Sequence, residues 1–167
     1  VSDPEHILVS LEPRHAQNIL SGEKHVELRR RSMNVAAGAT MWIYAKLPIG
    51  SIVGQATVGA VDASSPQDLW KRYGAVSGLT KMEFFDYFEG RDIGVALVLG
   101  ARSVLEEALS LTDLREVDDG FHPPQFFTRL EPTHPVRHAV LQASKRATRR
   151  KEKHPQRRRT TEQRSLT

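Results

Sequence analysis

Gly22-Glu23-Lys24-His25-Val26-Glu27-Leu28-Arg29 is the stretch on which the fold turns. From Lys24 the pattern has a period of two, with Val26 and Leu28 on one face and His25, Glu27 and Arg29 on the other. That alternation predicts a half-buried β-strand. A strand face so charged must be solvated, paired or functional. Just upstream, Gly22 supplies the left-handed conformation that ends a helix. That helix starts at Pro13, whose fixed φ suits a first turn, and carries Ala16, Ile19 and Leu20 at helical spacing. Ile7 to Leu11 is a short apolar run suited to a buried strand, so the order is strand, short helix, strand.

Downstream, Met41 to Lys46 and Ile52 to Val61 are β-rich runs separated by the turn residues Pro48 and Gly50. Ser65-Pro66 with Asp68 signals a helix start for Leu69, Trp70 and Tyr73. Thr80 with Glu83 forms a capping box ahead of Phe84, Phe85, Tyr87 and Phe88. Ile93 to Leu99 is the strongest buried-strand candidate, and Ala101 to Leu111 reads as strand running into an irregular edge. Asp118-Asp119-Gly120 is a turn, and Pro123-Pro124-Gln125-Phe126-Phe127 is a rigid entry into a last packed segment closing near Leu130. Beyond Pro135, Val136, Ala139, Val140, Ala143 and Ala147 form one apolar stripe at helical spacing. The reading is therefore one domain over 1–131, followed over 132–167 by a basic C-terminal helix and a disordered tail.

The charge is divided in the same way. Residues 1–143 hold 14 Lys+Arg against 18 Asp+Glu, a net −4, whereas 144–167 hold 10 against 2, a net +8. A nucleic-acid-seeking signal thus lies in the C-terminal segment and not over the domain as a whole. With no cysteine, the chain has no disulfide, thiolate metal site or cysteine nucleophile. No apolar run approaches the length of a membrane span, so a soluble, cytoplasmic protein without membrane association is expected. The seven histidines include no H-E-x-x-H pattern, and neither a metal nor another cofactor is expected.

Gly22, Lys24, Glu27 and Arg29 match in full the G-x-K-x-x-E-x-R pattern of the ASCH domain family, and the chain resembles that family from about Ile7 to Leu130. The entry ILVSLEPRHAQNILSGEK, the following MWIYAKLPIGSIVGQATV, the Leu69-Trp70 helix, FFDYFEG and the late PPQFF fall in the family's order. The resemblance implies an α+β fold, a PUA-like β-barrel with short peripheral helices, whose cleft is lined partly by the motif. It implies RNA binding, with roles in transcription coactivation, RNA processing or translation. Some relatives are hydrolases, acting on N4-acetylated cytidine or as ribonucleases. The deacylating subgroup resembles G-x-K-x-x-T-x-R, with the lysine activating a threonine nucleophile and a distant glutamate assisting. Here Lys24 keeps the lysine, Glu83 is the candidate for the distant glutamate, and Glu27 stands where the threonine would be.

A carboxylate at that position is a base, a charge partner or an acceptor for a base edge, and not a hydroxyl nucleophile. Three functions are therefore set side by side. The first is a regulatory RNA- or nucleotide-binding module reading its ligand through Gly22, Lys24, Glu27, Arg29, Arg31 and Tyr44. In it Arg146, Arg149 and Arg150 add sequence-independent contacts to RNA, or to DNA. The second is an amidohydrolase or ribonuclease using Lys24, Glu27 and Glu83. The third is a protein-interaction module of a regulatory complex. Each residue also has a plainer explanation. Lys24, Glu27 and Arg29 fit an ordinary charged strand face, Glu83 fits its capping box, and Trp42, Tyr44 and Trp70 fit the core as well as a base-stacking platform. In an ideal strand Lys24 points away from Glu27, so a shared site requires a strand end, a bulge or strong twist.

Overall fold

Gly22 ends the first helix with φ at 92°, and the amides of Gly22 and Lys24 return to the carbonyls of Ile19 and Asn18 at 3.2 and 2.9 Å. The computed structural model describes residues 2–153. The elements run β1 (His6–Leu11), α1 (Pro13–Ser21), β2 (Val26–Arg29), β3 (Thr40–Ala45), β4 (Ser51–Ser64) and α2 (Pro66–Tyr73). A 3-10 turn (Gly74–Val76), α3 (Lys81–Tyr87), β5 (Gly94–Ser110), α4 (Leu111–Val117), β6 (Thr128–Arg129) and α5 (Pro135–Lys153) follow.

The six strands form one sheet in the order β2-β5-β4-β3-β1-β6. Among the described residues only β1 and β3 run parallel; every other pairing is antiparallel. The long partners β4 and β5 slip register at Ile52/Gly54, Ala56/Val58 and Val58/Ala60. Such bulges bend and twist a ladder, so the sheet curls on itself. Among the described residues the ladder ends at β2 on one side and β6 on the other, giving a six-stranded half-barrel where a barrel was expected.

The concave side is filled by Ile7, Val9 and Leu11 of β1, Met41 and Ile43 of β3, and Leu97 of β5, closed by Ala16 and Ile19 of α1. A second cluster joins Leu8, Trp42, Tyr44 and Ile52 to Leu114 of α4 and to Val136 and Val140 of α5. A third packs Val26 and Leu28 of β2 under Leu69 of α2, Phe84 of α3 and Phe88 at the end of α3. Helix α5 carries its apolar stripe as expected, with its early turns against β5 and α4. It adds a feature that the apolar pattern did not show. Arg137, 4% exposed, donates to the Leu130 carbonyl at 3.0 Å and pairs with Asp3. Residues 154–167, part of the 132–167 segment expected to be a basic helix and disordered tail, lie outside the described residues.

Four expectations need correction. Strand β2 starts at Val26, two residues later than the alternation suggested, because His25 is held in the preceding connection by the Val76 carbonyl at 2.8 Å. The segment after Ala101 stays in strand to Ser110, and its irregularity is internal to β5: the register against β4 jumps from Gly54↔Val104 to Ile52↔Leu109. Leu111 opens a helix, α4, capped reciprocally by Ser110 and Asp113. Tyr44, 3% exposed, belongs to the second cluster and is no stacking platform for a base; fully buried Trp42, donating to His6 Nδ1 at 2.9 Å, is none either.

Leu114 is fully buried where α4, α5 and the sheet meet, whereas Leu47 is 77% exposed. Leu114→Ala is expected to lower the unfolding free energy by about 3 kcal/mol. Leu47→Ala should change it by less than about 0.5 kcal/mol. Urea denaturation of the two variants checks the contrast.

Candidate active site

Lys24 and Glu27 line one cleft of about 430 Å³ at the β2 edge of the sheet, with Arg14 and His15 of α1 and Glu83, Asp86 and Tyr87 of α3. The strand end reconciles the two orientations. Because β2 starts only at Val26, Lys24 lies in the turn after α1 and is free of the strand's alternation. Its amine donates to the Ser77 carbonyl, and Gly78, at φ 69°, lies against its stem, where a Cβ would sit 3.3 Å from the lysine Cδ. The loop is fixed in turn: Ser77 Oγ donates to the Gly74 carbonyl at 2.8 Å and accepts from the Leu79 amide at 3.2 Å.

All four residues of β2 are buried, so its charged face is neither solvated nor ordinary. Glu27 and Arg29 pair across the ladder with Leu97 and Val95 and share the concave face with them. Glu27 Oε1 lies 3.4 Å from Arg29 Nε. That is close enough for charge attraction, but Arg29 Nε makes no hydrogen bond there. Burial pushes the Glu27 carboxyl above its ordinary range, opposed by Arg29 and then Lys24. Burial also lowers the Lys24 ammonium, opposed by Glu27. An acid and a base are thus driven toward neutrality from opposite sides in one cleft.

Glu83 lines the same cleft with both oxygens engaged. Oε1 accepts from the Thr80 amide at 3.1 Å, completing the capping box, and Oε2 takes Arg14 at 2.8 Å. These partners, Arg14 first, hold its pKa at about 2. The Arg14–Glu83 pair ties α1 to α3 across the rim of the cleft.

Arg29 and Arg31 line a separate recess together with Arg30, although a period of two would put Arg30 on the face opposite Arg29. Arg30 lies beyond the last residue of β2, where that alternation no longer holds. Gly22 stands at the end of α1, with Arg102 Nη1 3.0 Å from the position of a Cβ. Arg146, Arg149 and Arg150 are exposed on α5 and line neither recess. Arg14, His15, Asp86 and Tyr87 were missed. No local pattern marks them, because only the packing of α1 and α3 at the β2 edge brings them together. Among the described residues no cluster of His, Asp or Glu side chains suited to a metal occurs, and no helix is long and apolar enough to cross a membrane.

Over 130 residues the chain is 36% identical to an ASCH domain-containing ribonuclease of Zymomonas mobilis, covering 78% of this chain and 87% of the relative. The chain belongs to the ASCH domain family. A crystal structure of an ASCH protein from Zymomonas mobilis superimposes with a TM-score of 0.77 at 34% identity, over 83% of this chain and 96% of that one. The family model described as "Domain of unknown function (DUF365)" matches residues 7–129 of this ASCH protein. The N-terminal domain of Staphylothermus marinus McrB shares the fold, with a TM-score of 0.52 at 11% identity over 83% of this chain and 91% of that one. The ASCH motif residues Lys24 and Glu27 are among those that line the cleft.

Burial, with Lys24 and Arg14 nearby, lowers the His15 imidazole from 6.5 to about 4. The folded protein therefore binds fewer protons than the unfolded chain between those two values, and stability falls as pH drops through that window. NMR titration of His15 is expected to give a midpoint near 4, and His15→Gln should flatten the acid limb of the urea-measured stability profile.

Proposed function

We propose that this protein binds RNA through the Lys24–Glu27 cleft and cleaves it there. The observation carrying this reading is the burial of an ammonium and a carboxylate on one cleft, each displaced toward neutral pH. The volume lies within the range of small-molecule sites and suits a nucleotide unit. The name of the Zymomonas mobilis relative supports the same class of chemistry.

Glu27, made a stronger base by its raised pKa, takes the proton of a ribose 2′-hydroxyl as that oxygen attacks the adjacent phosphorus. The bond to the 5′-oxygen breaks, and that oxygen leaves with a proton from the Lys24 ammonium, a stronger acid for its lowered pKa. Before the proton moves, Lys24 stabilises charge on the phosphoryl oxygens. The products are a 2′,3′-cyclic phosphate and a 5′-hydroxyl end, and solvent restores both side chains. Glu83 positions α3 through Arg14 and Thr80 and takes no proton. Arg146, Arg149 and Arg150 on α5, with the basic segment that follows, add sequence-independent contacts to the nucleic-acid backbone that weaken with salt.

A second reading, RNA binding in a regulatory role without cleavage, draws on the partners these charges already hold, Arg29 for Glu27 and the Ser77 carbonyl for Lys24. One experiment separates the two. On single-stranded RNA, cleavage by Lys24→Met and by Glu27→Gln is expected to fall by about 100-fold or more, the scale of acid–base catalysis, with folding followed by circular dichroism. The product ends are read by phosphatase sensitivity. RNA bound by the wild-type protein without any product would leave the regulatory reading, and RNA bound equally well by the folded Lys24 variant would remove both.

A further inference from the structure

Arg29, Arg30 and Arg31 meet in a recess of about 330 Å³ whose remaining walls are Tyr87, Gln125 and Phe126. Three guanidinium groups line it and no carboxylate does. Arg29 is the built part. It is 8% exposed, Nη1 donates to the Phe126 carbonyl at 3.1 Å, and its guanidinium carbon lies 5.8 Å from the centre of the Phe126 ring. Its Nε and Nη2 are buried without a hydrogen-bond partner among the described residues. A buried charged donor without an acceptor is rare, because it forfeits its hydration and receives nothing in return. Glu27 balances the charge at 3.4 Å but leaves those donors open. Arg30 is anchored to the Glu89 carbonyl at 3.1 Å, and both Arg30 and Arg31 are exposed at the mouth.

We propose that this recess binds a phosphate group of RNA, flanking the nucleotide held in the Lys24–Glu27 cleft. Tyr87 lines both spaces and divides them, its hydroxyl fixed by donation to the Leu28 carbonyl at 3.0 Å. The planar forks of the arginines suit phosphate oxygens, and the Gln125 amide is a further donor. The phosphate is either an internal phosphodiester or a terminal monophosphate. That the phosphate belongs to RNA rests on the cleft reading; the anion chemistry of the recess does not.

Inorganic phosphate is the first probe, titrated into protein carrying 15N in its arginine side chains. The Arg29 Nε–H resonance is expected to shift and saturate, with a midpoint on the order of millimolar. The exposed-site double variant Arg30→Gln/Arg31→Gln should raise that midpoint about fivefold or more while the urea midpoint stays put, so that loss of fold is not the cause. Oligoribonucleotides with a 5′-phosphate or a 5′-hydroxyl then separate the sources. A terminal site binds the first more tightly and loses that preference in the double variant; an internal site binds both equally and weakens equally for both. No saturable shift up to on the order of 50 mM phosphate, or an unchanged midpoint in the double variant, overturns the proposal. Cleavage of RNA with wild-type KM by the double variant would sink the recess and leave the cleft reading intact. Saturable phosphate binding without any RNA binding would sink the cleft reading and keep the recess as an anion site.

Discussion

Three charges withdrawn from water along one edge strand and the turn before it set the terms for the rest of this structure. Lys24, Glu27 and Arg29 are each less than a tenth exposed. Burying ions costs several kcal/mol apiece unless partners are supplied with good geometry. The fold supplies some of them: the Ser77 carbonyl for the amine, the Phe126 carbonyl for one guanidinium nitrogen, and mutual attraction for the remainder. Two donors of Arg29 find no acceptor among the described residues. An arrangement built for stability alone would have put apolar side chains on this face of β2, as its other face has with Val26 and Leu28.

Much of the surrounding architecture follows from holding these charges. The loop between the 3-10 turn and α3 presents Ser77 and Gly78 to Lys24. Helix α3 is started by Thr80 and Glu83, and Glu83 reaches on to Arg14 of α1. The rim is thus closed by a solvent-facing ion pair of modest energy, while the floor is held by buried contacts. That grading leaves the mouth easier to open than the base.

The strand, helix and turn pattern was legible wherever hydrophobic period and caps agreed. The run from Pro13 through Gly22, the Thr80–Glu83 box and the apolar start of β5 are examples. Failure came where a cap was outweighed by composition, as at Ser110 and Asp113 ahead of α4, whose three-residue spacing carried the signal. Of the site, the motif gave Lys24, Glu27 and Arg29, because their types and spacing survive in one dimension. Arg14, His15, Asp86 and Tyr87 did not, since their relation to the motif is made by helix packing across distant sequence. Tyr44 and Trp42 misled because an aromatic residue in a strand reads the same whether its face meets ligand or core; Leu114 and Val136 are what cover that face here.

The strand order bears on how the chain reaches this state. Strand β1 is interior to the sheet, between β3 and the two residues of β6, whose Arg129 pairs with Ile7. During vectorial synthesis β1 emerges first, yet its last neighbour emerges only after β2 to β5 have been made. Until then one edge of β1 is an unpaired row of backbone donors and acceptors, open to pairing with another chain. Such non-local closure is intrinsically slow. Arg137, gripping the Leu130 carbonyl and Asp3 together, ties the segment that follows β6 to the one that precedes β1.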